Sequence, residues 1–198
     1  TKIKDNPRYA HFNEPDASYH GLVYSSLPFP SFVLRVRLAL LRDIGAAPSP
    51  FNSWLFIQGL ETLTIRMKAH SEKALAVAKF LESHPKVKSV KYPGLESHRD
   101  HELLKKYFTG AQASGLMSFE AESFEAAKSV VNSVKIFTPV VNIGDSKSLV
   151  THPASTTHSQ MTKEELSSAG ISETLVRLSI GLEDENDLIA DLKAALEA

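Results

Sequence analysis

Cysteine is absent from the 198 residues, which excludes disulfides, thiolate zinc sites and cysteine nucleophiles. No apolar run reaches the roughly 20 residues that a membrane-spanning helix needs, so we expect a soluble protein. Neither sign of charge dominates, because 22 Lys and Arg residues stand against 23 Asp and Glu residues. This balance argues against nucleic acid or an anionic membrane as a partner. The lack of cysteine also fits a cytoplasmic location.

What is present is the composition of a globular protein, with 42% apolar residues and enough length to bury a core. Residues 1–31 differ from the rest, since they are rich in proline and aromatic side chains without a periodic apolar pattern. Stretches of this kind are uncommon in compact domains unless they belong to something larger. We therefore expect the sequence to begin in the interior of a longer chain.

Two helices are predicted in the first half of the chain. Residues 32–44 alternate apolar side chains with arginines and end at Gly45, which predicts a mostly buried helix. After a proline-containing break, Asn52 is expected to cap a helix that runs to residue 83. Such a helix is longer than a small domain is wide, so we expect it to bridge two domains. The predicted segments are therefore 1–51, 52–83 and 84–198.

The second half of the chain predicts an α+β fold. Helical patterns lie between the strand patterns, and one helix opens with the capping box of Thr162 and Glu165. A roughly four-stranded sheet with helices on one face accounts for this order. The segments with the alternation of strands are 87–92, 115–120, 136–141 and 175–182.

The last of these strands carries the most informative pattern. Because side chains alternate along a strand, Arg177, Ser179 and Gly181 share the face opposite the apolar residues. One cation beside two small residues leaves space in which a guanidinium can bind a carboxylate through two hydrogen bonds. An arginine paired with a surface glutamate also explains the pattern, and spacing alone leaves both interpretations open.

A polar loop precedes this strand. Residues 142–158 combine Gly, Pro and small hydroxyl residues, which favours either a loop that carries binding groups or an ordinary connection bonded to its own backbone. His152 and His158 lie six residues apart, which fits neither one helix face nor a zinc-site spacing, so no metal is expected. No glycine-rich phosphate-binding loop is present in the sequence.

Several stretches, in order along the chain, are similar to one enzyme family: residues 12–22, 49–55 with 58–63, 148–158 and 177–184. Together they resemble the Cys/Met-metabolism enzymes that use pyridoxal 5'-phosphate (PLP), and within these the O-acetylhomoserine sulfhydrylases. The resemblance implies the C-terminal domain of a fold-type I, aminotransferase-like enzyme with a mostly antiparallel sheet. It makes residues 1–51 the tail of the PLP-binding large domain, 52–83 a long interdomain helix and 84–198 the C-terminal small domain.

The resemblance also implies roles for single residues. Arg177 corresponds to the arginine that binds the α-carboxylate of the substrate, and Ser148 to a serine near the cofactor and that carboxylate. Lys147, beside it, lies either at the mouth of the site or in solvent. The lysine that binds PLP and the other cofactor contacts belong to the preceding domain, so no catalytic or cofactor-binding residue is expected in this chain. We therefore expect the isolated chain to be inactive.

A complete enzyme of this kind replaces the acetate of O-acetylhomoserine with sulfide or a thiol, which gives homocysteine or methionine. The implied partners are these small molecules, the missing N-terminal domain and further copies in a cytoplasmic homotetramer. Two alternatives stay open. One is a cystathionine γ-synthase or γ-lyase, and the other is a non-catalytic assembly or regulatory module.

Overall fold

The computed structural model describes residues 2–198 and divides them into two units. The first unit ends at Gln58, and the second comprises Gly59–Ala198. The division falls inside the segment that the sequence predicts as an interdomain helix. What each unit contributes to a longer enzyme stays a prediction.

The helices fall in both units, and short 3-10 turns lie between many of them. Among residues 2–198, no helix has the length and apolar character needed to cross a bilayer. The α-helices are α1 (Ala10–Asn13), α2 (Ser31–Arg35), α3 (Leu41–Ile44), α4 (Pro50–Glu61), α5 (Leu63–Ser83), α6 (His101–Tyr107), α7 (Phe124–Ser133), α8 (Lys163–Ser168) and α9 (Glu185–Glu197).

The helix predicted over residues 32–44 forms, and its environment differs from the prediction. A π-helical stretch, Val36–Leu40, joins α2 to α3, and the helix ends at Gly45, which adopts a positive φ of 67°. The expectation of a mostly buried helix was wrong, because Phe32 is 61% exposed and Ile44 is 73% exposed.

The long helix predicted over residues 52–83 is interrupted. Helix α4 begins at Pro50, and the hydroxyl of Ser49 accepts a hydrogen bond from the N–H of Asn52 at 3.1 Å, so Ser49 caps it instead of Asn52. At Thr62 the backbone leaves the helical region, with φ −108° and ψ 3°. The guanidinium of Arg66 donates to the carbonyl of Gly59 at 2.9 Å, which gives a carbonyl near the break a partner.

The sheet has five strands instead of the four expected. Their order is β1-β2-β5-β4-β3, and every pairing is antiparallel except that of β3 with β4. The additional strand, β4, has three residues and was predicted as part of the polar loop. The strands are β1 (Val87–Lys91), β2 (Leu116–Ala121), β3 (Thr138–Pro139), β4 (Leu149–Thr151) and β5 (Leu175–Ser179).

The hydrophobic core lies between one face of this sheet and helices α5, α7 and α9. Strand β5 contributes Val176 and Leu178, with Ile180 just beyond its end, and all three are fully buried. The alternation predicted for this strand is thus confirmed at these positions. It leaves Arg177 on the opposite face, away from the packed helices.

Candidate functional site

Arg177 lies on the face of the sheet that the helices leave open. Its strand, β5, lies between β2 and β4, and its Cα partners there are Ser118 and Thr151. The guanidinium Nη2 donates to the carbonyl of Asn142 at 3.4 Å. Among residues 2–198, no carboxylate lies within 4.0 Å of Arg177, so the structure does not show the surface ion pair that the sequence left open.

A cleft of about 320 Å³ opens beside Arg177. It has cationic and hydroxyl groups next to apolar walls, and none of its lining residues is acidic. A cleft with this lining favours a small anionic ligand with an apolar part. Its lining residues are Lys91, Leu116, Met117, Ser118, Pro153, Thr157, His158, Ile171, Leu175 and Arg177.

Residues 140–148, here called the covering loop, fill the rest of the face that was predicted to be open. The N–H of Gly144 donates to the hydroxyl of Ser179 at 3.1 Å. A side chain on Gly181 would place its Cβ 2.5 Å from the carbonyl oxygen of Ser146 and 2.5 Å from Oε2 of Glu183. The prediction of open space therefore holds at Arg177 and is wrong at Gly181, which is small because a loop crosses it.

Ser148, the second predicted site residue, is fully buried and forms three hydrogen bonds at this crossing. Its N–H and hydroxyl donate to the two carboxylate oxygens of Glu183, at 2.7 and 2.8 Å. Its hydroxyl oxygen accepts from the N–H of Gly181 at 2.8 Å. Sequence reasoning missed Glu183, and the only signal for it was an acidic residue directly beyond the strand. Lys147 is exposed to solvent.

The end of strand β5 is also held from the core side. Nδ1 of buried His70, on α5, lies 2.6 Å from the carbonyl oxygen of Ile180 and must donate, because a carbonyl only accepts. The N–H of Ile180 donates to the carbonyl of Gly115 at 2.8 Å. The backbone that carries Arg177 is therefore fixed at its far end by a helix as well as by the loop.

The two histidines that raised the question of a metal serve other purposes. His152 is 1% exposed, and its ring nitrogens bond to the hydroxyl of Ser155 at 2.7 Å and to the carbonyl of Glu173 at 2.8 Å. His158 lines the cleft and bonds to the hydroxyl of Thr157 at 2.7 Å. Over residues 2–198, no three His, Asp or Glu side chains come together in a metal-binding arrangement.

Comparison with known proteins bears on this site. The family described as "Cys/Met metabolism PLP-dependent enzyme" matches residues 18–197. The chain belongs to this family. It is 44% identical to the O-acetyl-L-homoserine sulfhydrylase of Leptospira meyeri, over 97% of this chain and 46% of that protein. It is also 44% identical to the homocysteine synthase of Schizosaccharomyces pombe, over 98% of this chain and 46% of that protein.

A solved structure with a pyridoxyl-lysine group shares the fold. It is a Campylobacter jejuni protein described as an O-acetylhomoserine (thiol)-lyase and contains a pyridoxyl-lysine group. The TM-score is 0.86 at 54% identity, over 99% of this chain and 47% of that one. The chain thus spans about half the length of the relatives that it matches.

The described residues do not fit the whole PLP cofactor of the family. No lysine among residues 2–198 is buried, and Lys91, which lines the cleft, forms an ion pair with Glu120 at 3.3 Å. A lysine that holds PLP must be free to bond to it and enclosed beside it. What these residues do fit is a carboxylate bound at Arg177. That the residues which hold PLP lie in a preceding domain stays a prediction.

Proposed function

We propose that the chain is the C-terminal part of a PLP-dependent O-acetylhomoserine sulfhydrylase, in which Arg177 binds the α-carboxylate of the substrate. The observation that carries this proposal is the position of Arg177 in an open cleft without an acidic partner among residues 2–198. Family membership and the sulfhydrylase names of the relatives support the same assignment.

The geometry suits recognition of a carboxylate. A guanidinium offers a planar fork of donors that matches two carboxylate oxygens. Among residues 2–198, the guanidinium of Arg177 forms one hydrogen bond, to the carbonyl of Asn142 at 3.4 Å, which leaves other donors of the fork available. Pairing of β5 with a strand on each side fixes the backbone of Arg177, so that a bound amino acid is held in one orientation.

Ser148 enters the proposal in a narrower role than the resemblance implies. Its proton points to Glu183, and one lone pair accepts from Gly181, so its hydroxyl can accept only one further hydrogen bond. It cannot donate to a substrate carboxylate while the bond to Glu183 persists. We assign it a supporting place behind the carboxylate site.

The reaction that we propose for the complete enzyme is replacement of the acetate of O-acetylhomoserine by sulfide or a thiol, which gives homocysteine or methionine. Residues 1–51 would then be the tail of the large domain, 52–83 the interdomain segment and 84–198 the small domain of a fold-type I enzyme. PLP would be bound mainly by the N-terminal domain, and the isolated chain would be inactive. The complete enzyme would be a cytoplasmic homotetramer.

The test is steady-state kinetics on the protein expressed from its complete gene and loaded with PLP. We expect Arg177→Lys to raise KM for O-acetylhomoserine about tenfold or more, because a point charge cannot replace the bidentate fork. Arg99→Lys is the control, since the Arg99 side chain is 88% exposed and, in the described part of the chain, its one ion pair is with Asp100 at 3.2 Å. An unchanged KM in Arg177→Lys contradicts the assignment.

Product analysis separates the proposal from the closest alternative. With O-acetylhomoserine and sulfide we expect homocysteine. Efficient formation of cystathionine from cysteine would indicate a cystathionine γ-synthase instead. A folded protein from the complete gene that forms neither product and does not bind PLP would favour the non-catalytic module.

A further inference from the structure

We propose that Glu183 is a positioning residue of the substrate site, and that it acts by holding the covering loop, residues 140–148, on the strand that carries Arg177. This inference rests on the proposed function, because it concerns how the carboxylate site is kept in shape. Glu183 is not expected to contact the substrate.

Both carboxylate oxygens of Glu183 bind Ser148. One carboxylate accepts two hydrogen bonds from a single residue, from the N–H at 2.7 Å and from the hydroxyl at 2.8 Å. Hydrogen bonds to a charged acceptor are roughly twice as strong as neutral ones. A two-point contact of this kind fixes both the position of the Ser148 backbone and the direction of its hydroxyl.

The contact with Glu183 lies at the end of the covering loop, at its last residue, Ser148. The covering loop is exposed over most of its length, so the hydrogen bonds to strand β5 and the residues beyond it hold it in place. At one end Asn142 and Gly144 bond to Arg177 and Ser179, at 3.4 and 3.1 Å. At the other end, Glu183 holds Ser148 immediately before strand β4. The bond at Gly144 joins neutral groups, and the bond from the Arg177 guanidinium has a charged donor but is long at 3.4 Å, so Glu183 provides the strongest of these attachments.

The covering loop packs closely against the chain just beyond strand β5. The N–H of Leu182 donates to the carbonyl of Ser146 at 2.8 Å, and the N–H of Gly181 donates to the Ser148 hydroxyl at 2.8 Å. The loop therefore lies against the strand at a fixed distance. Release of Ser148 would loosen the register of β4 against β5, and with it Thr151, the Cα partner of Arg177.

Glu183→Gln is the informative variant. It keeps the size of the side chain but removes its charge. The amide oxygen can still accept from the N–H of Ser148, whereas the amide nitrogen can only donate to the Ser148 hydroxyl, which loses its charged acceptor and must turn its proton away. Glu96→Gln is the matched control, because Glu96 is exposed and no hydrogen bond or ion pair involves it in the described part of the chain.

Two readouts on the PLP-loaded protein from the complete gene test the proposal. We expect KM for O-acetylhomoserine to rise roughly tenfold in Glu183→Gln, with kcat and the visible PLP spectrum little changed. We also expect the amides of Ser148 and Leu182 to exchange hydrogen roughly tenfold faster, since the hydrogen bonds of both amides form only when the covering loop lies against the strand. Glu96→Gln should change neither quantity.

The outcomes separate this inference from the proposed function. Wild-type protein without sulfhydrylase activity overturns both. Active wild-type protein with an unchanged KM in folded Glu183→Gln overturns only the role of Glu183, even if the variant is less stable. If Glu183→Gln does not fold, KM is measured in Glu183→Asp instead. It keeps both acceptor oxygens but is one methylene shorter, so its KM must still rise, and an unchanged KM overturns the proposal.

Discussion

Gly181→Ala is a sharp test of the crossing between the covering loop and strand β5. A Cβ at this position would lie 2.5 Å from the carbonyl oxygen of Ser146 and from the carbonyl carbon of Lys147. Both are backbone atoms, so the loop itself must shift. Overpacking of this kind costs about 1–3 kcal/mol. The lower entropy of the unfolded alanine chain offsets about 0.4–1 kcal/mol. Because 2.5 Å is far inside the normal contact distance, we take the upper part of that cost, about 2–3 kcal/mol, and expect a net loss of roughly 1–2.6 kcal/mol.

The assay is urea unfolding followed by circular dichroism, with Gly59→Ala as the control. Gly59 lies in helix α4, and nothing would come within 4 Å of an added Cβ. The same chemical change should stabilise the protein there by about 0.5–1 kcal/mol, because alanine favours a helix. A lower free energy of unfolding in Gly181→Ala and a higher one in Gly59→Ala would support the packing described here. A Gly181→Ala protein as stable as wild type would refute it.

Three further predictions concern the second unit. Tyr92→Phe should lower the free energy of unfolding by about 1–2 kcal/mol, measured in urea, because the buried hydroxyl donates to the carbonyl of Ser114 at 2.9 Å. Asp191→Asn should cost about 1–2 kcal/mol in the same assay, since the carboxylate accepts from the N–H groups of Lys135 and Ile136 at 2.8 Å; a stable variant would contradict this role. Burial alone would raise the pKa of Glu120, but hydrogen bonds from Ser172 and Thr174 and the ammonium of Lys91 hold it below its ordinary value of 4.5. Its contribution to stability is therefore complete above pH 4.5 and is lost as the pH falls below that value, and Glu120→Gln should remove this part of the acid dependence of the melting temperature.

Features with strong local signals could be predicted from the sequence. The capping box of Thr162 and Glu165 forms as expected, with the Glu165 carboxylate accepting from the N–H of Thr162 at 2.8 Å. Strands β1, β2 and β5 lie where alternation placed them. These signals depend on residues a few positions apart, which a sequence displays directly.

Features that depend on distant contacts could not be predicted. Strand β4 has three residues and resembles a loop until its pairing with β5 is known. Glu183 could be interpreted only as an acid near the start of a helix, because its partner, Ser148, lies 35 residues away. The burial predicted for residues 32–44 was wrong for a related reason. Apolar periodicity shows that a face favours burial and does not show which segment covers it.

In the candidate site, too, the sequence predicted the local feature and not the one that depends on a distant contact. Strand alternation placed Arg177 on the open face, and the structure shows it there. Alternation could not show that residues 140–148 fold back over Ser179 and Gly181. Gly181 therefore suggested empty space, although it is the point of closest approach between two backbone segments.

We propose that this chain supplies the carboxylate-binding part of a PLP enzyme whose cofactor is held elsewhere. The most direct measurement is the intact mass of the protein expressed from its complete gene, together with its visible absorbance. We expect a mass well above 21.8 kDa and the absorbance of lysine-bound PLP. A 21.8 kDa protein that binds PLP by itself, or a larger protein without that absorbance, would contradict it.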